Sequence, residues 1–399
     1  MARVEHLWSL PFTTFVLVGL AAALLAGHAI ARAERGDLRE WLLVAASFCV
    51  LTVLCGPVVA VILVGYAIAL RAMVLALPTP GTRTLAAAIA TLAFVAAPVV
   101  YIGELGDAGR QVREFTAFAT NVAVLRFWAW AWERRRHDGR LEPWSRYLVA
   151  TFFFPTFVNG PIEPPRSFDG SWPRPDRGDL GTGLARVAAG VAKLVLVGLA
   201  LEPGWTRVLA DGPGAPAWRL WWWGALLYAW FYLSFSAWTD VAVGLARICG
   251  RRVQENFDRP WLAADPSDFW RRWHVSLGLW LRDYVYIPLG GNRRHRALNV
   301  LVVFLVSAAW HVWGTLKLLG FGYFPPAAWG GFVVWGLVHG LGVVALGRRA
   351  RAPEGAVLPA ARLATFAFAA WAWVPFFVPA SVSLGQCLRM LARMLVPAV

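Results

Sequence analysis

The chain has 399 residues, of which 58% are hydrophobic and 15% are charged, and its mean hydropathy is +0.54. Soluble domains are roughly 45–50% apolar, so this composition excludes a water-soluble protein and predicts one that lipid surrounds. The net charge of +15 does not indicate nucleic-acid binding, because the arginines cluster between apolar runs, as at Arg134–Arg136, without a soluble recognition fold.

Apolar runs that reach or approach the roughly 20 residues needed to cross a bilayer follow one another along the chain. They are Phe12–Ala31, Trp41–Ala69, Leu85–Ile102, Phe115–Trp132, Leu184–Leu201, Leu220–Leu245, Leu298–Trp313, Trp329–Leu346 and Leu363–Val378. We predict an all-α, polytopic integral membrane protein with about nine to eleven transmembrane helices, formed as a single domain over residues 1–399. The first run is interpreted as a retained helix, because no convincing cleavage site follows it.

Three features within these runs depart from a plain membrane helix. Trp41–Ala69 is long enough to hold a turn near Gly56–Pro57, where glycine and proline favour a break. The shorter run Tyr147–Val158 contains Pro155 and is a candidate re-entrant segment. Asp240 lies inside an apolar run, so we expect it to be paired and to have a structural role.

The stretch Asp265–Asn292 carries a strong local pattern. Asp265 is a suitable N-cap, Pro266 suits the first helical position, and an acidic residue in the first turn favours the positive helix end. The pattern predicts one amphipathic helix that carries His274 inward and is broken at Tyr284–Pro288, followed by a glycine turn.

Histidines kept in or beside lipid are costly and are therefore candidate functional residues. His311 follows His274 by 37 residues, near the end of the next apolar run, and His339 lies in another run. Each is also compatible with a core histidine bonded to a backbone carbonyl. Five tryptophans bracket the first two histidines, as interfacial anchors or as cavity walls: Trp270, Trp273, Trp280, Trp310 and Trp313. The four cysteines show no metal or disulfide spacing, so no metal site is predicted.

Five segments together resemble the membrane-bound O-acyltransferase family, in the bacterial branch that includes alginate O-acetyltransferases and teichoic-acid D-alanyltransferases. In chain order they are FFPTFVNGPIEPPRSF at Phe153–Phe168, the segment Phe235–Trp261, FWRRWHVSLGLWLRDYVYIPLGGNRR at Phe269–Arg294, WHVWG at Trp310–Gly314 and GLVHG at Gly336–Gly340. They span about half of the chain, residues 153–340, and the third segment is too long for chance agreement.

The resemblance implies an enzyme of the bacterial cell membrane that moves an acyl group from a thioester to a hydroxyl. The implied fold is a helical core around a central funnel, and the implied catalytic pair is His311 as general base and His274 as the group that holds the acceptor or polarises the thioester carbonyl. Imidazole suits this chemistry, because its ordinary pKa is about 6.5. No permanently bound cofactor is implied. The acyl donor is a co-substrate, either acetyl-CoA or the phosphopantetheine thioester of an acyl carrier protein.

The resemblance also implies roles for surrounding residues and partners. The residues expected to line the cavity or bind substrate are Asn159, Trp270, Trp273, Trp310, Trp313, His339, Asp240, Arg282 and Asp283. The basic turn Asn292–Arg296 is expected to attract a phosphopantetheine phosphate, an acidic carrier protein or anionic lipid headgroups. Val312 stands where glycine is common in the family, which narrows the space beside the catalytic histidine.

The acceptor remains open at this point. An extracellular glycan or related polymer receiving acetate is the first expectation, with a periplasmic or extracellular partner protein. D-alanyl or another carrier-borne acyl group passed to a teichoic-acid-like polymer, a lipid or a small metabolite is the alternative. Two other classes compete with an enzyme: a transporter with a proton relay of intramembrane histidine and aspartate, and a non-catalytic scaffold.

Overall fold

A computed structural model describes residues 9–103, 110–136, 141–170, 172–197, 214–319, 326–347, 357–377 and 384–395. Within these ranges helices supply the secondary structure, and the one extended pairing is an isolated antiparallel bridge between Phe257 and Trp273. The all-α prediction is therefore confirmed. The ends of two predicted runs, residues 198–201 and Val378, lie outside the described residues.

The helices are numbered here in chain order. The first eight are α1 (Ser9–Arg32), α2 (Gly36–Cys55), α3 (Pro57–Ala76), α4 (Pro80–Gly103), α5 (Arg110–Arg134), α6 (Trp144–Phe152), α7 (Phe154–Phe157) and α8 (Arg177–Leu196). The others are α9 (Ala217–Ile248), α10 (Pro266–Arg272), α11 (Val275–Leu281), α12 (Arg296–Leu319), α13 (Pro326–Leu346), α14 (Val357–Phe377) and α15 (Leu384–Leu395).

Six of the described helices are long and apolar enough to cross a membrane. These spans lie within α1, α2, α3, α12, α13 and α14. A chain with several such spans is a multi-pass membrane protein, as predicted, because only lipid covers so much apolar helix surface. The total of about nine to eleven spans stays a prediction.

The chain divides into two compact units. The first comprises Met1–Ala192 with Ala237–Glu255, and the second comprises Lys193–Ser236 with Asn256–Val399. The single-domain interpretation stays a prediction beside this division. Each unit is described separately below.

In the first unit, the turn and the interrupted run both form where the sequence places them. Gly56 has a φ of 84° and separates α2 from α3, which begins at Pro57. The run containing Pro155 is split into α6 and the four-residue α7. Fully buried Arg126 of α5 donates to the Thr151 carbonyl at 3.3 Å and to the Thr156 carbonyl at 3.1 Å. These bonds satisfy carbonyls that the interrupted helix leaves without partners.

In the second unit, buried rings form the core. We call this set the aromatic cluster: Tyr228, Phe269, Trp273, Phe332, Trp335 and Trp373. α13 approaches α12 closely at Gly336, where an added Cβ atom would lie 3.0 Å from the Phe304 carbonyl oxygen. The glycine of the GLVHG segment thus permits the helix contact that brings α13 and its rings beside α12.

Candidate active site

His274 lies in a sharp connection between two short helices, α10 and α11. Its φ of 46° and ψ of 53° place it in the left-handed region, which costs a residue with a side chain roughly 1–2 kcal/mol. The predicted continuous helix is therefore wrong at this residue. The predicted cap is confirmed, because the Asp265 carboxylate accepts from the Asp268 N–H at 2.9 Å.

A short extended pairing holds the connection that contains His274. The Asp258 N–H donates to the Arg272 carbonyl at 3.0 Å, and the Val275 N–H donates to the Asn256 carbonyl at 3.0 Å. These bonds bracket the histidine and offset its backbone strain. After α11 the chain continues in a π-helical turn, Arg282–Tyr286. The helical segment therefore ends after Tyr286, within the predicted break Tyr284–Pro288, and the glycine turn at Gly290 and Gly291 forms with positive φ values.

Each imidazole of the predicted pair is oriented through its Nδ1 atom. His311 Nδ1 lies 2.7 Å from the Ser307 carbonyl oxygen, one turn earlier in α12. A carbonyl only accepts, so Nδ1 carries the hydrogen, and in the neutral imidazole Nε2 then keeps its lone pair. His274 Nδ1 lies 3.4 Å from Asn256 Oδ1, and the same reasoning assigns the same tautomer. Both histidines therefore present a basic Nε2 atom.

The two histidines join one continuous set of rings. The His274 ring contacts Phe235 with centroids 4.7 Å apart, and Phe235 contacts Phe231 at 6.0 Å. Phe231 contacts Phe376 at 5.8 Å, and Phe376 contacts the His311 ring at 5.2 Å. Burial, together with a smaller contribution from the charge of His311, lowers the pKa of His274 to about 3. His274 is thus neutral at neutral pH and lies within electrostatic range of its partner.

A cavity of about 580 Å³ opens on the His274 side of this arrangement. Of the predicted residues it is lined by Trp270, Trp273, His274 and Arg282, and it also reaches Ser307, the residue that orients His311. The α12 part of the lining runs from Arg296 to Ser307, a rise of about 16 Å. The lining carries three guanidinium groups and no carboxylate; they belong to Arg271, Arg282 and Arg296.

The other predicted residues of the second unit lie off the lining of this cavity. Trp310 contacts the His311 ring at 4.8 Å, and Trp313 is half-buried on the same helix. Asp283 pairs with Arg282 at 2.8 Å. His339 is fully buried, with the Trp270 ring at 4.9 Å and the Trp335 ring at 5.5 Å, and neither nitrogen finds a hydrogen-bond partner among the described residues. The structure therefore places His339 in the aromatic core, away from the cavity.

Two predicted residues belong to the first unit. Asp240 is 4% exposed and pairs with Arg186 at 2.8 Å, as its expected structural role requires. Arg186 also pairs with Glu255 at 2.5 Å. Asn159 is half-buried beside α7. Among the described residues, no group of three histidine, cysteine or acidic side chains is placed to hold a metal ion.

Sequence reasoning missed Asn256. It is fully buried, and its side chain lies against both His274 and Ser276. It is within the quoted segment Phe235–Trp261, yet a single amide residue carries no periodic or spacing signal. Only the contact with a segment 18 residues later identifies it.

Comparisons with known proteins relate the chain to one family. The sequence model of the membrane-bound O-acyltransferase family matches residues 111–324. The chain is 37% identical to the probable alginate O-acetylase of Azotobacter vinelandii over 164 residues, which cover 40% of this chain and 29% of that protein. It is 36% identical to the peptidoglycan O-acetyltransferase of Helicobacter pylori over 124 residues, covering 30% and 21%. It is 29% identical to the teichoic acid D-alanyltransferase of Bacillus subtilis over 197 residues, covering 44% and 49%. The matches thus span less than a third of the two O-acetyltransferases and about half of the D-alanyltransferase.

Proposed function

Because the chain belongs to the membrane-bound O-acyltransferase family, we propose that it is an enzyme that transfers an acyl group from a thioester to a hydroxyl. Acetate is the proposed acyl group and an extracellular glycan or related polymer is the proposed acceptor. The observation that carries the proposal is the pair of neutral imidazoles with unprotonated Nε2 atoms in one aromatic site, beside a cavity with a cationic lining.

In the proposed reaction, His311 is the general base. Its Nε2 atom takes the proton of the acceptor hydroxyl while the oxygen attacks the thioester carbonyl carbon. The C–S bond then breaks, and the imidazolium returns the proton to the leaving thiolate. The Nδ1–H group of His311 donates to the Ser307 carbonyl both before and after Nε2 takes the proton, so this bond stabilises the imidazolium. General-base catalysis of this kind contributes roughly 10²–10⁴-fold in rate.

For His274 the tautomer supports one of its two expected roles. A neutral imidazole with hydrogen on Nδ1 has no Nε2 hydrogen to donate, so it does not polarise the thioester carbonyl. Its Nε2 atom instead accepts a hydrogen bond from a second hydroxyl of the acceptor, next to the one that reacts. It therefore holds the acceptor and leaves proton transfer to His311, whose shorter bond from Nδ1, 2.7 Å against 3.4 Å at His274, better stabilises an imidazolium.

The cavity is the proposed path of the acyl donor. The donors in question carry their thioester at the end of a phosphopantetheine arm, attached to CoA or to a carrier protein. The apolar part of the α12 lining, at Val300, Val303 and Phe304, fits the slender arm, and the three arginines of the lining fit the phosphate. Acetyl-CoA and a carrier-protein thioester both carry this arm and its phosphate, so the test supplies each of them as donor.

The acceptor is proposed from the relatives. The names of the matched proteins mention alginate, peptidoglycan and teichoic acid, all of them polymers of the cell envelope. We propose a hydroxyl of such a polymer, with a partner protein outside the membrane completing delivery. Transfer of D-alanine or another carrier-borne acyl group is the second candidate, favoured by the longer alignment with the D-alanyltransferase.

The test uses the purified protein in lipid nanodiscs. Radiolabelled acetyl-CoA and an acyl carrier thioester are supplied separately, together with alginate, peptidoglycan fragments or lipoteichoic acid, and acylated product is identified by mass spectrometry. His311→Ala should reduce transfer at least about 100-fold while the protein remains folded. His28→Ala, at an exposed position of α1, is the matched control and should match the wild type. Undiminished transfer by folded His311→Ala would favour a scaffold, and proton flux without transfer would favour a transporter.

A further inference from the structure

Asn256 supports the turn at His274 and also contacts the His274 side chain. Its side chain is fully buried, and Oδ1 accepts from the Ser276 N–H at 3.2 Å and from the Ser276 hydroxyl at 2.5 Å. A backbone N–H only donates, so the amide atom facing it must be the oxygen. The third group at this oxygen is His274 Nδ1, at 3.4 Å.

From this geometry we infer that Asn256 is a positioning residue, which keeps the hydrogen of His274 on Nδ1 and leaves Nε2 to accept a hydrogen bond from a second hydroxyl of the acceptor, next to the one that reacts. The inference rests on the proposed acyl transfer. Asn256 acts twice, because its backbone carbonyl also accepts from the Val275 N–H at 3.0 Å and so orients the connection that carries the histidine. A neutral amide suits this role, since it orients the ring without attracting a proton to it.

Because charged groups surround His274, its protonation depends on the Asn256 side chain being neutral. Arg271, Arg282 and Arg296 line the same cavity, and His311 acts on His274 electrostatically. Asp268, on the preceding helix, pairs with Arg272 at 3.0 Å. The groups that share the cavity with His274 thus favour its neutral form. A carboxylate at position 256 would instead favour the protonated form of His274.

The decisive variant is Asn256→Asp, which keeps the shape and the acceptor oxygen but adds a negative charge. An opposite charge at this distance raises the pKa of His274 by roughly one to three units. The imidazole then becomes protonated at higher pH and loses its free Nε2 atom, so the acid limb of the kcat/KM profile should move up by about one pH unit or more. Gln254→Glu adds the same charge two residues away, where the amide donates to the Ile162 carbonyl. Its profile should follow the wild type.

The outcomes separate this inference from the proposed function. If the wild type transfers no acyl group from any donor, the proposed function fails. If the wild type is active and folded Asn256→Asp keeps the wild-type acid limb, Asn256 is purely structural and the inference fails alone. Should Asn256→Asp aggregate in detergent, Asn256→Ser replaces it. The serine variant should lower kcat for hydroxyl acceptors about tenfold with an unmoved acid limb, and a wild-type kcat would overturn the inference.

Discussion

Arg296 offers a sharp test of the donor path. It is the first residue of α12, lines the cavity, is half-buried, and forms no ion pair with another described residue. By contrast, Arg282 pairs with Asp283, and Arg271, whose side chain is 66% exposed, lies 3.4 Å from Asp268. Arg296 should therefore contribute most to holding a phosphate, and Arg296→Ala is the substitution of choice. Removing an arginine from the first turn of a helix does not weaken the helix, because a cation there opposes the dipole.

The expected magnitude follows from the hydrogen bond that is lost. A hydrogen bond to a charged group contributes about 1.5–3 kcal/mol, and partial exposure of Arg296 reduces this to about 1–2 kcal/mol. At 1.4 kcal/mol for each factor of ten, KM for acetyl-CoA should rise about 5- to 30-fold. The phosphate is remote from the reacting carbon, so kcat should stay unchanged. Initial rates against donor concentration, at two salt concentrations, measure both parameters.

A phosphate-free donor supplies the matched comparison. An N-acetylcysteamine thioester has the same reacting group without the phosphate, so Arg296→Ala should leave its kcat/KM at the wild-type value. Arg293→Ala, three residues earlier on the exposed turn and off the cavity lining, should affect neither donor. Equal losses with both thioesters would refute phosphate binding at Arg296, and so would an unchanged KM for acetyl-CoA.

Three further predictions concern folding and the core. Asp265→Ala removes the cap that accepts from the Asp268 N–H, so the free energy of unfolding should fall by about 1 kcal/mol; thermal unfolding in detergent measures this, and an unchanged midpoint would contradict the capping role. Gly336→Ala brings a Cβ atom to 3.0 Å from the Phe304 carbonyl oxygen and should destabilise by about 1–3 kcal/mol, whereas Gly65→Ala, where nothing lies within 4 Å, should not. His339→Phe should keep acyl transfer and equal or exceed wild-type stability, because the ring is fully buried with both nitrogens unpartnered among the described residues. Loss of transfer in folded His339→Phe would show that this histidine acts in the reaction.

Some features of the protein can be predicted from the sequence, because they depend on residues that lie close together along the chain. The Asp265 cap depends on residues three apart, and the turn at Gly56–Pro57 depends on two adjacent residue types. The membrane class depends on the summed hydropathy of successive runs. Each of these properties involves few neighbours, so residue type and spacing are sufficient to predict it.

Other parts of the site depend on contacts between distant segments. The break at His274 is held by residues 256–258, which pair with the connection across more than a dozen positions. Local propensity favours a helix through this residue, and the extended pairing overrides it. The role of Asn256 likewise comes from what it faces, which its residue type does not reveal. For the predicted basic turn, only the cavity lining distinguishes Arg296 from Arg293 and Arg294.

The sequence by itself determined that this is an all-α membrane protein, because the hydropathy of successive runs is visible in any window. Its resemblance to the acyltransferase family singled out His274 and His311 as the candidate catalytic pair. Tertiary structure decided which imidazole nitrogen is free, that Asn256 orients His274, and that His339 belongs to the core. The physical reason is that tautomer, orientation and burial depend on the neighbouring atom in space. For His274 the neighbouring atom belongs to a distant segment of the chain. For His311 it belongs to the preceding turn of the same helix.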